Sequence, residues 1–317
     1  MHNSGDVLFI DSAHPSLAEA LTKIGYRCIV EPDISVKGLI KMMPVLSGII
    51  VRSRFRIDKH ILQHAVRLRF IGRVGSGLEN IDVAYAESKG IACLNSPEGN
   101  RQAVGEHATG MLLALVNKIC VADMEVRQGL WKRKKNRGVE LHGKTLGIVG
   151  YGNTGSAFAQ CISGFGMEVL AYDKYKCGYG SQLVRETDME EIFHSADILS
   201  LHIPLTEETI RLADTEFFSR FKKGIYLVNT SRGGIVDTAG LLAALGSGRV
   251  LGAALDVLEY EHLSFERLDF NALPDRFRQL ASLPNVVLTP HVAGWTRESR
   301  VKLSAVLAEK IRQLPLG

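Results

Sequence analysis

Residues 145–173, TLGIVGYGNTGSAFAQCISGFGMEVLAYD, carry the order of features that decides the fold. Thr145–Val149 is a short apolar run of strand type that leads directly into GYGNTG at 150–155, and Ser156 to Gly164 continues in a helical pattern. A second strand follows and ends in Asp173. Each part has a physical task. Gly150 permits a tight turn, Gly152 lets backbone approach a pyrophosphate, and Gly155 lets the helix pack on the strand, so the helix N-terminus can hold phosphate. Asp173 lies 18 residues beyond Gly155, where an acidic side chain accepts hydrogen bonds from ribose hydroxyls and repels a 2′-phosphate. The segment predicts a βαβ unit for a dinucleotide, NAD rather than NADP. A glycine triplet alone marks only a turn; the order of strand, triplet, helix, strand and acid gives it meaning.

On the C-terminal side the alternation continues, with strands expected at Ile198–Leu201, Tyr226–Asn229, Gly252–Leu255 and Val286–Thr289. On the N-terminal side a long helix is expected from about Arg101 to Gly129, ending in the basic run Lys132–Arg137. Before it, strands at Val7–Ile10, Arg27–Val30, Gly48–Val51, Leu68–Arg73 and Ile91–Leu94 alternate with helices. Strand–helix alternation of this kind predicts parallel sheets covered on both faces. A final amphipathic helix spans Arg297–Leu314.

Three segments stand at expected strand ends, where α/β sheets gather their ligands: NTSRGGIVD (229–237), LDVLEYE (255–261) and LTPHVAGW (288–295). Each offers one group for chemistry on a carboxylate substrate. Arg232 presents a planar fork of donors that keeps its charge and suits bidentate carboxylate binding. His291 exchanges protons readily at neutral pH. Glu261 can orient that ring, and a carboxylate beside an imidazole favours the protonated form. Taken singly, these are a surface arginine, a Pro-His turn and a solvated glutamate; downstream of a dinucleotide fingerprint they form a catalytic set.

Composition bounds the alternatives. A chain of 317 residues, 46% hydrophobic and 23% charged, is globular and long enough for two domains. Glycine, at 31 residues, exceeds its usual ~7% share. A net charge of +4 favours anionic small molecules mildly and falls short of a nucleic-acid footprint. Cys28, Cys93, Cys120, Cys161 and Cys177 are scattered, so reduced thiols in a cytoplasmic protein are expected, with no disulfide framework and no metal. No apolar run reaches the ~18 residues of a membrane span. His60 and His64 share a helix face without a third ligand. The run Lys132–Arg137 reads as a solvated linker or an arm reaching a partner, His107 as a packed or interface residue, and Trp131 as a packing anchor.

GYGNTG, LHIPLTEET (201–209), NTSRGG, LDVLEYE and TPHVAG together resemble the signature segments of the D-isomer-specific 2-hydroxyacid dehydrogenases, over essentially the whole chain. GRVGSGLENID (72–82) and NSPEGN (95–100) are most similar to the phosphoglycerate dehydrogenase branch, which serves serine biosynthesis. The resemblance implies an α/β fold of two doubly wound parallel-sheet domains, a Rossmann-type cofactor domain (98–291) inserted into a flavodoxin-like substrate domain (1–97 plus 292–317). It implies NAD as cofactor, a small anionic 2-hydroxy or 2-keto acid as substrate, and a homodimer built through the cofactor domain. No nucleic-acid or membrane partner is expected.

By motif, Arg232, Glu261 and His291 correspond to the family's catalytic Arg, Glu and His. Ser76, Gly150, Gly152, Asn153, Thr154, Gly155, Asp173, Ile203, Thr230, Ser231, Arg232, Asp256, His291 and Gly294 fall where the family contacts NAD. Arg52, Ser53, Val74, Gly75, Ser76 and Gly77, with Arg232 and His291, fall where it contacts substrate. For a phosphorylated substrate, Arg52, Arg54 and Arg73 offer a second cationic site, with Arg133 as an addition from a partner. The alternatives are a hydroxypyruvate or glyoxylate reductase and, from another class, an NAD-sensing corepressor. Two departures stand out: His262 replaces the family's Pro after the catalytic Glu, and the 262–283 connection is lengthened. Ending at Gly317, the chain is also expected to lack the C-terminal ligand-sensing domain of many phosphoglycerate dehydrogenases, and with it control by serine.

Overall fold

The computed structural model describes residues 4–261 and 273–315, and the chain divides into two compact units. One unit gathers residues up to Arg101 and those from Trp295 onward; the other runs from Gln102 to Gly294. His262 and the first part of the lengthened connection lie outside the described residues.

The first unit holds five strands: β1 (Gly5–Phe9), β2 (Tyr26–Val30), β3 (Leu46–Val51), β4 (Phe70–Arg73) and β5 (Ala92–Leu94). They pair in parallel in the order β2-β1-β3-β4-β5, the flavodoxin-like arrangement expected. β3 is buried along its whole length, so its LSGIIV is apolar throughout instead of alternating. One face of the sheet packs Leu39, Met43, Ile61 and Leu62. The other receives Leu17 and Leu21 together with Leu303, Leu307 and Ile311 of the Arg297–Arg312 helix, which returns here from the chain's end.

The second unit holds β6 (Thr145–Val149), β7 (Glu168–Tyr172), β8 (Arg185–Glu186), β9 (Ile198–Leu201), β10 (Ile225–Asn229), β11 (Val250–Leu255) and β12 (Val286–Leu288). Their order is β12-β11-β10-β9-β6-β7-β8, with every pairing parallel. The order reverses between β9 and β6, which makes the ends of those strands the topological switch point of a Rossmann-type sheet. Separate hydrophobic clusters cover its two faces, one around Phe193, Phe217 and Phe221, the other around Leu112, Phe158 and Ile162.

The helix expected over 101–129 is two helices, Arg101–Val116 and Ile119–Arg127. Lys118 breaks it in the left-handed region (φ 54°), and the Val116 carbonyl accepts from the Val139 amide at 3.0 Å. The later segment thus takes a carbonyl the helix would otherwise have used. Trp131 is 77% exposed, so within this chain it anchors no packing. Nor is the basic run simply solvated: Lys132 and Lys135 pair with the buried Glu125, and Asn136 donates to the same carboxylate.

Candidate active site

The phosphate-type loop follows β6 at the switch point. Gly150 has φ +94°, and a Cβ there would meet the His202 carbonyl oxygen at 2.5 Å; one at Gly155 would meet the Gly150 oxygen at 2.1 Å. Both positions therefore exclude any side chain. At Gly152 nothing lies within 4 Å of such a Cβ, so the loop leaves open space before the Asn153–Ile162 helix. Asp173 ends β7 and closes the loop: its Oδ2 accepts from the Tyr151 amide (2.9 Å) and its Oδ1 from those of Tyr175 and Lys176. Each carboxylate oxygen has more than one lone pair, so acceptor capacity remains for ribose hydroxyls.

The Thr154 hydroxyl lies 3.2 Å from Nδ1 of His202, whose Nε2 meets the Ser200 hydroxyl at 2.8 Å. Burial pushes His202 down to about 3, so the ring is neutral and structural. Ile203, next to it, lies against Gly150. After β10, Asn229 shapes the loop: its Oδ1 accepts from the amide and hydroxyl of Ser231, and its Nδ2 donates to the Arg232 carbonyl. The Thr230 hydroxyl in this loop is buried without a hydrogen-bond partner, an orphan that a bound cofactor would satisfy. With the open space at Gly152 and the acid at Asp173, these residues fit a dinucleotide.

The three catalytic candidates end three adjacent strands. Asn229 of β10 registers with Leu255 of β11, which registers with Leu288 of β12, so the loops carrying Arg232, Glu261 and His291 stand side by side. A Cβ at Gly233 would strike the Leu258 carbonyl at 2.0 Å, which measures how tightly the first loop presses on the second. Glu261 Oε2 lies 2.5 Å from His291 Nδ1, and its Oε1 accepts from the Leu258 amide. The pair is partly buried, with side chains 17% and 25% exposed. Nδ1–H therefore points at Glu261, which fixes the orientation of the ring. Arg232 donates to the Ser231 carbonyl at 2.7 Å and is half-buried.

His291 itself is in the left-handed region (φ 53°). Asp256, 1% exposed, encloses it: the Asp256 carbonyl accepts from the His291 amide, Oδ1 from the Thr289 hydroxyl (2.6 Å) and the Val292 amide (2.9 Å), Oδ2 from the Ala293 amide (2.8 Å). Burial pushes its carboxyl up, but hydrogen bonds from His107, Thr289, Ala293 and Val292 outweigh that and hold it below its ordinary value. Gly294 closes the loop.

The substrate candidates lie in the other unit, where Asp11, not singled out in the sequence, organises them. Its Oδ2 accepts from the amides of Arg52 (2.8 Å), Ser53 (3.0 Å) and Arg54 (3.1 Å). The Arg52 guanidinium stacks 3.3 Å from the ring centroid of Trp295, and the Arg52 carbonyl accepts from Arg73 Nε at 3.1 Å. A Cβ on Gly75 would meet the Arg73 guanidinium at 2.4 Å. Val74 and Gly75 are buried, Gly77 half-buried, and Ser76 donates to Asn100. Arg52 and Arg73 thus share one cluster, whereas Arg54 turns to the Pro32 carbonyl and Arg133 is exposed on the basic run of the second unit. Among the described residues, no group of His, Cys, Asp or Glu is arranged to hold a metal, and no helix is long and apolar enough to cross a membrane.

Residues 109–293 match the family described as D-isomer specific 2-hydroxyacid dehydrogenase, NAD binding domain. The chain is 37% identical over 313 residues to D-3-phosphoglycerate dehydrogenase of Archaeoglobus fulgidus, covering 98% of this chain and 57% of the relative. It is 38% identical over 273 residues to hydroxypyruvate reductase of Thermotoga maritima, covering 86% of each. Among solved structures it resembles D-lactate dehydrogenase from Aquifex aeolicus complexed with NAD and lactic acid, with a TM-score of 0.80 and 28% identity over 97% of this chain and 94% of that one. The chain belongs to the D-isomer specific 2-hydroxyacid dehydrogenase family. It spans only about half the length of the phosphoglycerate dehydrogenases it matches.

Asp173→Ala removes both the expected ribose acceptor and the charge that repels a 2′-phosphate. The expected outcome is a fall in the ratio of kcat/KM for NADH over NADPH, measured with one 2-keto acid; an unchanged ratio contradicts the assignment.

Proposed function

We propose that the chain is an NAD-dependent D-2-hydroxyacid dehydrogenase that interconverts 3-phosphoglycerate and 3-phosphohydroxypyruvate. The observation that carries the dehydrogenase reading is the His291–Glu261 pair at 2.5 Å, on a loop adjoining the strand end that bears Arg232. The unit of residues 102–294 is read as the cofactor domain and the other as the substrate domain. Ser76, Gly150, Gly152, Asn153, Thr154, Gly155, Asp173, Ile203, Thr230, Ser231, Asp256 and Gly294 are the proposed NAD residues.

Bound NADH would supply the hydride for the keto carbon. Arg232 holds the substrate carboxylate through its planar fork and polarises the adjacent carbonyl. His291 Nε2 gives a proton to the carbonyl oxygen, and in the oxidising direction the neutral ring takes it from the hydroxyl. Glu261 accepts Nδ1–H throughout, which fixes the ring and offsets its charge when both nitrogens carry protons. Replacing His291 with Gln keeps a side chain of similar reach and removes proton exchange, so kcat should fall by about 10²–10⁴-fold; steady-state kinetics at saturating NADH reads it.

The phosphate assignment rests on the stacked Arg52 and adjacent Arg73, two guanidinium groups in one cluster. Losing a charge-assisted contact in a desolvated site costs about 2–5 kcal/mol. Arg52→Ala should therefore reduce kcat/KM for phosphohydroxypyruvate at least tenfold while leaving glyoxylate nearly unaffected. Wild-type preference for hydroxypyruvate over its phosphorylated form would leave the reductase reading, which the Thermotoga maritima relative favours.

A second copy of this chain is the proposed partner. Ile119, Met124 and Val126 stand more than half exposed on one helix, and Trp131 follows them. Sedimentation velocity should show a dimer that Trp131→Glu weakens.

A further inference from the structure

Helix Arg101–Val116 carries one polar contact that the proposed mechanism does not use. His107 Nε2 lies 3.1 Å from Thr289 Oγ1 and 3.5 Å from Asp256 Oδ1, with its side chain 26% exposed. The direction of these bonds follows from proton counting. Asp256 is a carboxylate and can only accept, so the single Thr289 hydroxyl proton goes to Oδ1, 2.6 Å away. The Thr289 oxygen is then an acceptor toward His107, and His107 must carry its proton on Nε2. The result is one polarised chain: His107 donates to Thr289, Thr289 to Asp256, and the Asp256 carboxylate accepts from the amides of Val292 and Ala293, the two residues after His291.

The chain ends on a strained residue. A non-glycine residue at φ 53° persists only where its surroundings over-determine it. Here Asp256 holds the His291 amide through its carbonyl and the next two amides through its carboxylate. Without the donors on its other side, a carboxylate that is 1% exposed would be under-satisfied and its grip on the loop weaker.

We infer that His107 is a positioning residue for His291, acting through Thr289 and Asp256 to fix the backbone from which the catalytic ring projects. The inference deepens the proposed dehydrogenase reading and rests on it for its kinetic consequence. Gln at 107 can present an amide N–H close to where Nε2–H lies, whereas Leu has no donor. Val at 289 removes the hydroxyl at nearly constant shape, and Ser retains it.

The test compares full-length wild type with His107→Leu, His107→Gln, Thr289→Val and the Leu/Val double variant. Expected is a loss of kcat of tens of fold, up to about 100-fold, in His107→Leu and in Thr289→Val, the scale of a small misplacement of a reacting group. His107→Gln should recover most of kcat, and the double variant should be no worse than either single one, because both break one chain. Loss of stability alone would give additive effects and no rescue. Wild-type kcat in folded His107→Leu, or multiplicative losses in the double variant, overturns the inference. If His107→Leu fails to fold, Thr289→Val against Thr289→Ser makes the same comparison.

A second readout needs no turnover. The His291 ring C–H signals are followed by NMR, assigned through His291→Gln. They should shift in His107→Leu and return in His107→Gln. Should wild type reduce no 2-keto acid, the dehydrogenase reading falls while shifted His291 signals still uphold the coupling; signals identical in all forms overturn it.

Discussion

The buried carboxylate of Asp256 is the contact on which the geometry of the site turns. Holding His291 in the left-handed region costs about 1–2 kcal/mol. Each hydrogen bond to a charged group contributes about 1.5–3 kcal/mol, and Asp256 accepts three such bonds, from Thr289, Val292 and Ala293. The clasp therefore outweighs the strain it imposes. Its position is equally constrained, because the Asp256 amide donates to the Asn229 carbonyl and the Thr289 amide to that of Leu255. The β10, β11 and β12 ends are tied together by these bonds, so the loops bearing Arg232, Glu261 and His291 share one anchored base.

The same economy governs the cofactor loop. The reversal of strand order brings the end of β6 beside that of β9, and there Gly150 lies against His202 and Ile203. A neutral His202 suits that place: a charged ring would put a buried cation beneath the loop, and burial removes it. The Asp173 carboxylate orders the Tyr151, Tyr175 and Lys176 amides at the end of β7. Preorganisation of this kind lowers what a ligand must spend on ordering the loop.

Local features were legible in the sequence, and long-range polar pairings were not. GYGNTG could be read because its meaning depends on glycine sterics and the adjacent strand and helix. The strand order of the first unit followed from the resemblance, and the strands themselves from β-branched runs such as LSGIIV. Arg232, Glu261 and His291 stood out by their places at strand ends and their chemistry, and the resemblance matched the same three, although spacing alone does not say that Glu261 meets a ring 30 residues away. His107 looked like a packing residue because its partner Thr289 is 182 positions on. Asp11 escaped notice for the same reason, being 41 to 43 residues from the amides it caps. The break at Lys118 was hidden because apolar periodicity runs through it; only the arrival of Val139 at the Val116 carbonyl ends the helix there. Trp131 misled because a large aromatic is usually buried, and here it is not.

The proposed recognition of an anion in the first unit would have a directional consequence. Trp295 covers one face of the Arg52 guanidinium at 3.3 Å, so that group can meet a ligand through its edge, where its N–H donors lie in plane. Edge-on donation suits the paired oxygens of a carboxylate or phosphate and gives little to an apolar tail. Asp11 holds the same loop, its Oδ2 accepting from three backbone amides. The guanidinium is thus held flat by an aromatic ring on a loop whose backbone is pinned by Asp11. So constrained, the group would select a ligand by the geometry of its donors as much as by charge, and the proposed discrimination between a phosphorylated acid and its unphosphorylated analogue would fall to Arg52 and not to His291.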